Sequence, residues 1–405
     1  MKLLHKSLAA LAAATLTLTL AACGGGGEAA DANTVEFWYY QPTPEQAQKV
    51  QALVDEFEDA NSGISIKLVE IPKADYNTKL ASAMAGDRGP DAGYLDQPQM
   101  ARFADADQIV EVPAGTIDDA DFYEGALQTN MVDGKLYGVP LQQTTVVLFY
   151  NTDLVSTPPK TWDELVAVSE DVNNENPDVA GVAVPKGDGF GAWMYPGFVA
   201  SAGGTMLDEK NKKVTFADVP AEEALDLWHT LLESSPREIT NSDLPFQKGL
   251  AAMMFSGPWD IVGIREQFPQ LKFDVALMPM KETEASTIGG DNGVVFSGAD
   301  NEDAAFKWLQ FLSDETHNAE FADITGNFPT NIAAAEASTL ADDPQIQVVL
   351  QQLETAHARP AVADWIQIND EYIARAIEAA VDGDTPPADA LDEAAERAAK
   401  LLGWS

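Results

Sequence analysis

Along the opening of the globular chain, Val35, Phe37 and Tyr39 alternate with Glu36, Trp38 and Tyr40, the two-residue period of a strand. Just beyond it, Thr43 and Gln46 fit a capping box with Pro44 at the first helical position. Val50, Leu53, Val54 and Phe57 then recur at helical spacing. Ile64, Ile66 and Leu68 alternate as a second strand, a helix signal covers Tyr76 to Met84, and Gly89-Pro90-Asp91 leads into another short apolar run. Strand, helix, strand, helix predicts an α/β fold with a mostly parallel sheet and helices on both faces.

The same grammar recurs downstream. Val146 to Tyr150 predicts a strand, and Thr161-Trp162-Asp163-Glu164 again fits a capping box. A helix after Pro220 carries Ala224, Leu225, Leu227, Trp228 and Leu231, and another from Asp303 to Leu312 carries Ala305, Phe306, Trp308, Leu309 and Leu312. Helix signals dominate the last stretch, broken at Gly383, Pro386 and Pro387. No internal repeat or heptad run interrupts this order.

The first residues follow a different pattern. Lys2 and Lys6 precede an apolar run from Leu8 to Leu20, too short for a membrane span and ordered like a secretory signal, predicted over 1–22. Leu20-Ala21-Ala22-Cys23 resembles the bacterial lipoprotein signal, in which lipid attaches to the cysteine, and Cys23 is the only cysteine of the chain. The run from Gly24 to Gly27 and the polar residues to Asn33 read as a flexible tether over 23–33. The remaining length exceeds what one core usually serves, so two lobes are expected, held without a disulfide.

Charge narrows the partners. With 24 basic and 65 acidic residues the formal charge is −41, which repels nucleic acid and anionic lipid and disfavours multiply charged anions. Chemistry is sparse. His229, His317 and His357 lie in no nucleophile turn, clustered metal ligands are missing, and Gly289-Gly290-Asp291-Asn292-Gly293 lacks the lysine of a phosphate loop. No cofactor or metal is expected. An exported glycosidase stays open, because two carboxylates in one cleft would suffice for it.

Aromatic residues at turn signals point instead to a ligand. Trp38, Tyr39 and Tyr40 close the first strand, and Trp193 and Tyr195 lie between Gly191 and Gly197. Trp259 follows Gly257-Pro258, and Trp365 follows a proline-containing stretch. Rings beside Asp, Asn, Gln and Arg suit sugars, which present an apolar face and a rim of hydroxyls.

Three consecutive stretches carry a resemblance: Asp133-Gly134-Lys135-Leu136-Tyr137-Gly138-Val139-Pro140, Leu148-Phe149-Tyr150-Asn151-Thr152-Asp153-Leu154, and Pro158-Pro159-Lys160-Thr161-Trp162-Asp163-Glu164-Leu165. With Gly249 to Met254 running into Gly257-Pro258-Trp259, and with Arg359-Pro360, they resemble the extracellular solute-binding proteins of carbohydrate ABC importers, the family that includes maltose-binding protein. The resemblance implies a two-lobed α/β periplasmic-binding-protein fold, type II-like, with the solute cleft between lobes and hinge crossovers. Lobe 1 would hold 34–142 and 293–340, and lobe 2 would hold 146–288 and 344–405. It also implies a monomer that delivers a mono- or oligosaccharide to a membrane permease, anchored through Cys23. A polyol, a glycerol-phosphate compound or a peptide is the alternative solute. By position, Tyr40, Gln41, Asp96 and Gln142 would meet the solute from the first lobe, with Trp38 undecided and Tyr39 left to packing. Trp193, Tyr195 and Trp259 would stack from the second, and Asp260, Asp291, Asn292, Arg359 and Trp365 complete the candidates.

Overall fold

The computed structural model describes residues 33–40, 44–86, 89–339 and 342–404. The leader, Cys23, the tether up to residue 32, Gln41 and Thr43 lie outside the described residues. In chain order come β1 (Thr34–Tyr39), α1 (Pro44–Ala60), β2 (Ser65–Glu70), α2 (Lys73–Met84), β3 (Ala92–Asp96), β4 (Val139–Thr145) and β5 (Val147–Asn151). Next are α3 (Trp162–Glu175), β6 (Ala180–Ala183), α4 (Gly189–Ser201), α5 (Val219–Leu231), β7 (Ala251–Ser256), α6 (Trp259–Gln267) and β8 (Phe273–Ala276). The chain ends through β9 (Ser286–Val295), α7 (Glu302–Ser313), α8 (Glu315–Thr325), β10 (Phe328–Pro329), β11 (Ala356–His357) and α9 (Pro387–Leu402), with further elements between, among them a helix over Pro344–Leu353.

Two main sheets result. The larger has the order β10-β4-β9-β3-β1-β2, with β11 attached to β9, and the smaller has the order β8-β5-β7-β6. β1 is parallel to β2 and β3, as the βαβα pattern requires. The expectation of a mostly parallel sheet fails beyond them: β9 runs antiparallel to both β3 and β4, so the sheet is mixed. The reason is connectivity. β4 leads into β5 of the other sheet through Val146 alone, and β9 brings the chain back after β8, entering against the direction of β3. The smaller sheet is mixed as well, with β7 parallel to β6 and antiparallel to β5.

Each sheet has its own core. Val35, Phe37 and Tyr39 of β1 are buried with Val50, Leu53, Val54 and Phe57 of α1 and Trp308, Leu309 and Leu312 of α7. Around the smaller sheet, Leu225, Trp228 and Leu231 of α5 pack with Phe198 of α4, Phe255 of β7 and Leu391 of α9. Val147 and Phe149 point to the opposite face of β5 and meet Phe246, Ile261 and Val349. Each such side chain contributes about 1.5–3 kcal/mol relative to exposure, so the apolar stripe of α7 accounts for its docking.

Local signals end where expected. Thr161 Oγ1 accepts from Glu164 N at 3.2 Å, while Glu164 Oε2 reaches back to Lys160 N at 2.7 Å, one residue before a standard capping box. Helix α4 lies along the strands that join the two sheets. Its Gly197 N donates to Thr287 Oγ1 at 2.8 Å, and a Cβ at Gly197 would come within 2.8 Å of the Ser286 and Thr287 backbone. Only glycine permits that approach.

Candidate functional site

Tyr40 stands just past the C-terminal end of β1, where open α/β sheets leave a crevice for ligands. Its ring packs edge-on against Tyr76 and Tyr94 at 5.2 and 5.1 Å, and Lys73 Nζ lies 4.6 Å from the ring centre. Its hydroxyl donates to Asp291 of β9, and Gln142 Nε2 of β4 donates to the other oxygen of that carboxylate. Asn327 Nδ2 in turn donates to Gln142 Oε1 at 3.1 Å. Burial pushes the Asp291 carboxyl above the usual range, opposed by the charge of Lys73 and by these hydrogen bonds. Burial, and then the charge of Asp291, raise the Tyr40 phenol well above its ordinary value, so Tyr40 remains a neutral donor.

Beside this network, at the end of β3, Asp96 accepts a two-pronged contact from Arg359: Nη2 at 2.5 Å and Nη1 at 2.9 Å. The Arg359 carbonyl also accepts from Gln97 Nε2 at 3.1 Å. The guanidinium is buried, with 4% of its side chain exposed, whereas Asp96 keeps 32%.

An aromatic group faces these strands from the smaller-sheet side. Half-buried Trp193 of α4 and Trp259 of α6 have ring centres 6.1 Å apart. Phe190 stacks on Trp193 at 5.6 Å with 19° between the planes. Trp193 lies against Gly289 of β9, where a Cβ would stand 2.8 Å from Cζ2 and displace the ring. The ring of Trp259 folds over Gly257, and its Cα is 3.6 Å from where a Cβ on Gly326 would lie. Gly326 precedes Asn327, which connects through Gln142 to Asp291 and Tyr40. Asp260 accepts from Ser256 Oγ at 2.5 Å, and burial pushes its carboxyl up.

The structure brings several of the expected residues near one another and buries others in the core. Tyr195 is a core residue: it is fully buried, donates to Ala221 O at 2.5 Å and meets Trp228 edge-on. The cause is helical phase. The stretch expected as a turn is the body of α4 despite Pro196, and residues two apart on a helix point about 200° apart, so Trp193 and Tyr195 cannot share a face. Trp365 is likewise fully buried in the core around the smaller sheet. Asn292 is buried and held by three hydrogen bonds: its Oδ1 accepts from Thr129 Oγ1 and Asn130 Nδ2, and its Nδ2 donates to Thr129 O. Trp38 turns back along its strand, its indole N–H donating to Glu36 at 2.7 Å. Asp96 and Arg359, expected as separate solute contacts, hold each other. Sequence reasoning missed Lys73, Asn327 and Phe190. Gly189-Phe190-Gly191 carries the same glycine-flanked aromatic signal used elsewhere; the other two carry none.

The arrangement combines aromatic surface with fixed donors and acceptors. Among the described residues no group of His, Cys, Asp and Glu could hold a metal ion, and no helix is long and apolar enough to cross a membrane. Two α/β bodies joined by adjacent strands, with polar and aromatic groups converging at the join, define a solute receptor. Residues 52–348 match the bacterial extracellular solute-binding proteins, and the chain belongs to that family. The maltodextrin-binding protein MdxE of Bacillus subtilis (strain 168) is 25% identical over 390 residues, covering 91% of each chain. The GacH receptor of Streptomyces glaucescens GLA.O, solved unliganded and with acarbose, matches with a TM-score of 0.82 at 25% identity, over 92% of this chain and 99% of that one. A cyclic alpha-maltosyl-1,6-maltose binding protein from Arthrobacter globiformis matches at 0.77 and 28% identity, over 91% and 98%. The fold is the two-lobed periplasmic-binding-protein fold.

Proposed function

We propose that this chain captures a neutral oligosaccharide outside the cell and delivers it to the permease of an ABC importer, acting as a monomer without covalent chemistry. The observation that carries the reading is the convergence of Trp193 and Trp259 on the Tyr40–Asp291–Gln142 network at the joining strands. Aromatic plates take the apolar face of a sugar, and the polar network presents partners for hydroxyls. Tyr40, Gln142, Asp260 and Asp291 supply the polar side in this reading, together with the exposed edge of Asp96. The relatives support it, being named for maltodextrin and maltosyl-maltose or solved with acarbose. The moving bodies are 34–142 with 293–340 and 146–288 with 344–405, and solute closes them because only the closed form lets both make contact. Lipid on Cys23 and the following tether keep the receptor at the outer face of the membrane.

The test is a thermal-shift screen of the purified protein against neutral mono- and oligosaccharides, since a ligand that binds only the folded state raises the melting temperature. A shift with one sugar type is expected. Trp259→Ala should then weaken binding by about 2 kcal/mol, roughly thirtyfold, as a central aromatic contact does. A flat response across the panel, with a shift from polyols, phosphodiesters or peptides, would replace the carbohydrate reading.

A further inference from the structure

Phe190 is 44% exposed, the most exposed Phe, Tyr or Trp among the described residues. It is nevertheless a fixed plate. Asp188 caps α4 by accepting from Phe190 N at 3.0 Å and Gly191 N at 2.9 Å, which holds the first turn. Gly191 cannot carry a side chain, because a Cβ there would stand 2.0 Å from Lys186 O. One face of the Phe190 ring is covered by Trp193, Trp259 stands edge-on to it with ring centres 6.3 Å apart, and the rest of the ring is open. Across Gly189 stands Asp370: a Cβ on that glycine would lie 3.4 Å from Asp370 Oδ1. Asp370 is exposed and sits in a π-helical segment, Ile368–Ile373, a wide turn that changes which side chains face a cleft. Its Oδ1 accepts from Asn369 Nδ2 at 2.8 Å.

A partly open ring beside an exposed carboxylate repeats the combination found around Trp193 and Trp259, and the carboxylate stands within electrostatic reach of the Asp96–Arg359 pair. We propose that Phe190 and Asp370 form an outer subsite for one further sugar ring, which sets a preference for longer oligosaccharides. This rests on the carbohydrate reading above. Phe190 receives the apolar face of the added ring, and Asp370 accepts from its hydroxyls. The carboxylate, in a chain of strong negative charge, turns away uronic acids and sugar phosphates at that position.

Calorimetric titration of the full mature chain with maltose, maltotriose, maltotetraose and longer members, and with the corresponding manno-oligosaccharides, tests it. Wild type should tighten with length. Phe190→Ala should lose up to about tenfold for the longest chain, the span of one aromatic contact, and less than about twofold for the shortest, flattening the series. Asp370→Asn should flatten it in the same direction. Equal loss at every length would show that Phe190 acts only by supporting Trp193, and no loss at all would show an idle surface ring; either overturns the subsite. An unchanged melting temperature of Phe190→Ala confirms that folding is not being read. If wild type binds no saccharide of either series, the subsite for these chains is refuted, and the thermal-shift screen above decides separately whether the carbohydrate reading falls. If wild type binds but the variants ignore length, only the subsite fails.

Discussion

Removing either half of the Asp96–Arg359 pair should destabilise the protein, and unequally. Leaving an uncompensated charge in a buried pair costs about 3–5 kcal/mol, whereas an exposed pair contributes about 0–1 kcal/mol. This pair is asymmetric, with 4% of the arginine side chain exposed against 32% of the aspartate. Asp96→Ala strands a buried guanidinium whose Nε is already without a partner, so its cost falls within the buried-pair range, at its lower end of about 3 kcal/mol because Asp96 is itself partly exposed. Arg359→Met strands a carboxylate that still reaches water, so its cost is about 1–2 kcal/mol. At ~2.1 cal/mol/K per residue, about 370 folded residues unfold with an entropy of ~0.8 kcal/mol/K, so these costs correspond to about 4 °C and about 2 °C in melting temperature. Calorimetry of both single variants and the double variant gives the coupling directly, expected at about 1–2 kcal/mol. Additivity within about 0.5 kcal/mol, or a larger loss for Arg359→Met, would refute the argument from burial.

Two further outcomes follow from the corrected positions. Tyr195→Phe removes only the hydroxyl donated to Ala221, so it should cost about 1 kcal/mol or somewhat more of stability and leave solute affinity unchanged; a large affinity loss would return Tyr195 to the cleft. Asp291 and Asp260 have carboxyls raised by burial, so the folded state holds their protons more tightly than the unfolded chain does. Their contribution to stability therefore grows as pH falls through the raised values and is lost as pH rises through them, opposite in sign to Asp343, whose carboxyl Arg265 holds low. Melting curves taken from neutral pH down through the ordinary carboxylate range should show Asp291→Asn losing part of the acid-side gain of wild type, and an identical pH profile would contradict the shift.

Local pattern was enough for the elements that depend on local spacing. The apolar positions of α1, α5 and α7 are buried as their period required, because a helix repeats its buried face within a few residues regardless of what it meets. The alternation of β1 separated buried Val35, Phe37 and Tyr39 from half-buried Trp38 and Tyr40 for the same reason. The turn-edge aromatic signal picked out Trp193 and Trp259, which lie half-buried side by side, but also Tyr195, which is core because the stretch is helical and phase, not proximity in sequence, decides which ring faces out. The polar side of the site was not legible in this way. Tyr40 and Asp291 are 251 residues apart, and Asp96 and Arg359 are 263 apart. The antiparallel pairing of β9 sets Asp291 opposite Asp96 of β3, the strand beside β1, and so within reach of Tyr40, and the chain that follows β11 delivers Arg359 to the end of β3. A hydrogen bond reaches about 3 Å, and nothing in the spacing of residues so far apart states which of them will come that close. Sequence alone thus determined the elements and their apolar faces; the tertiary fold decided which polar groups are spent on one another and which remain open to a solute.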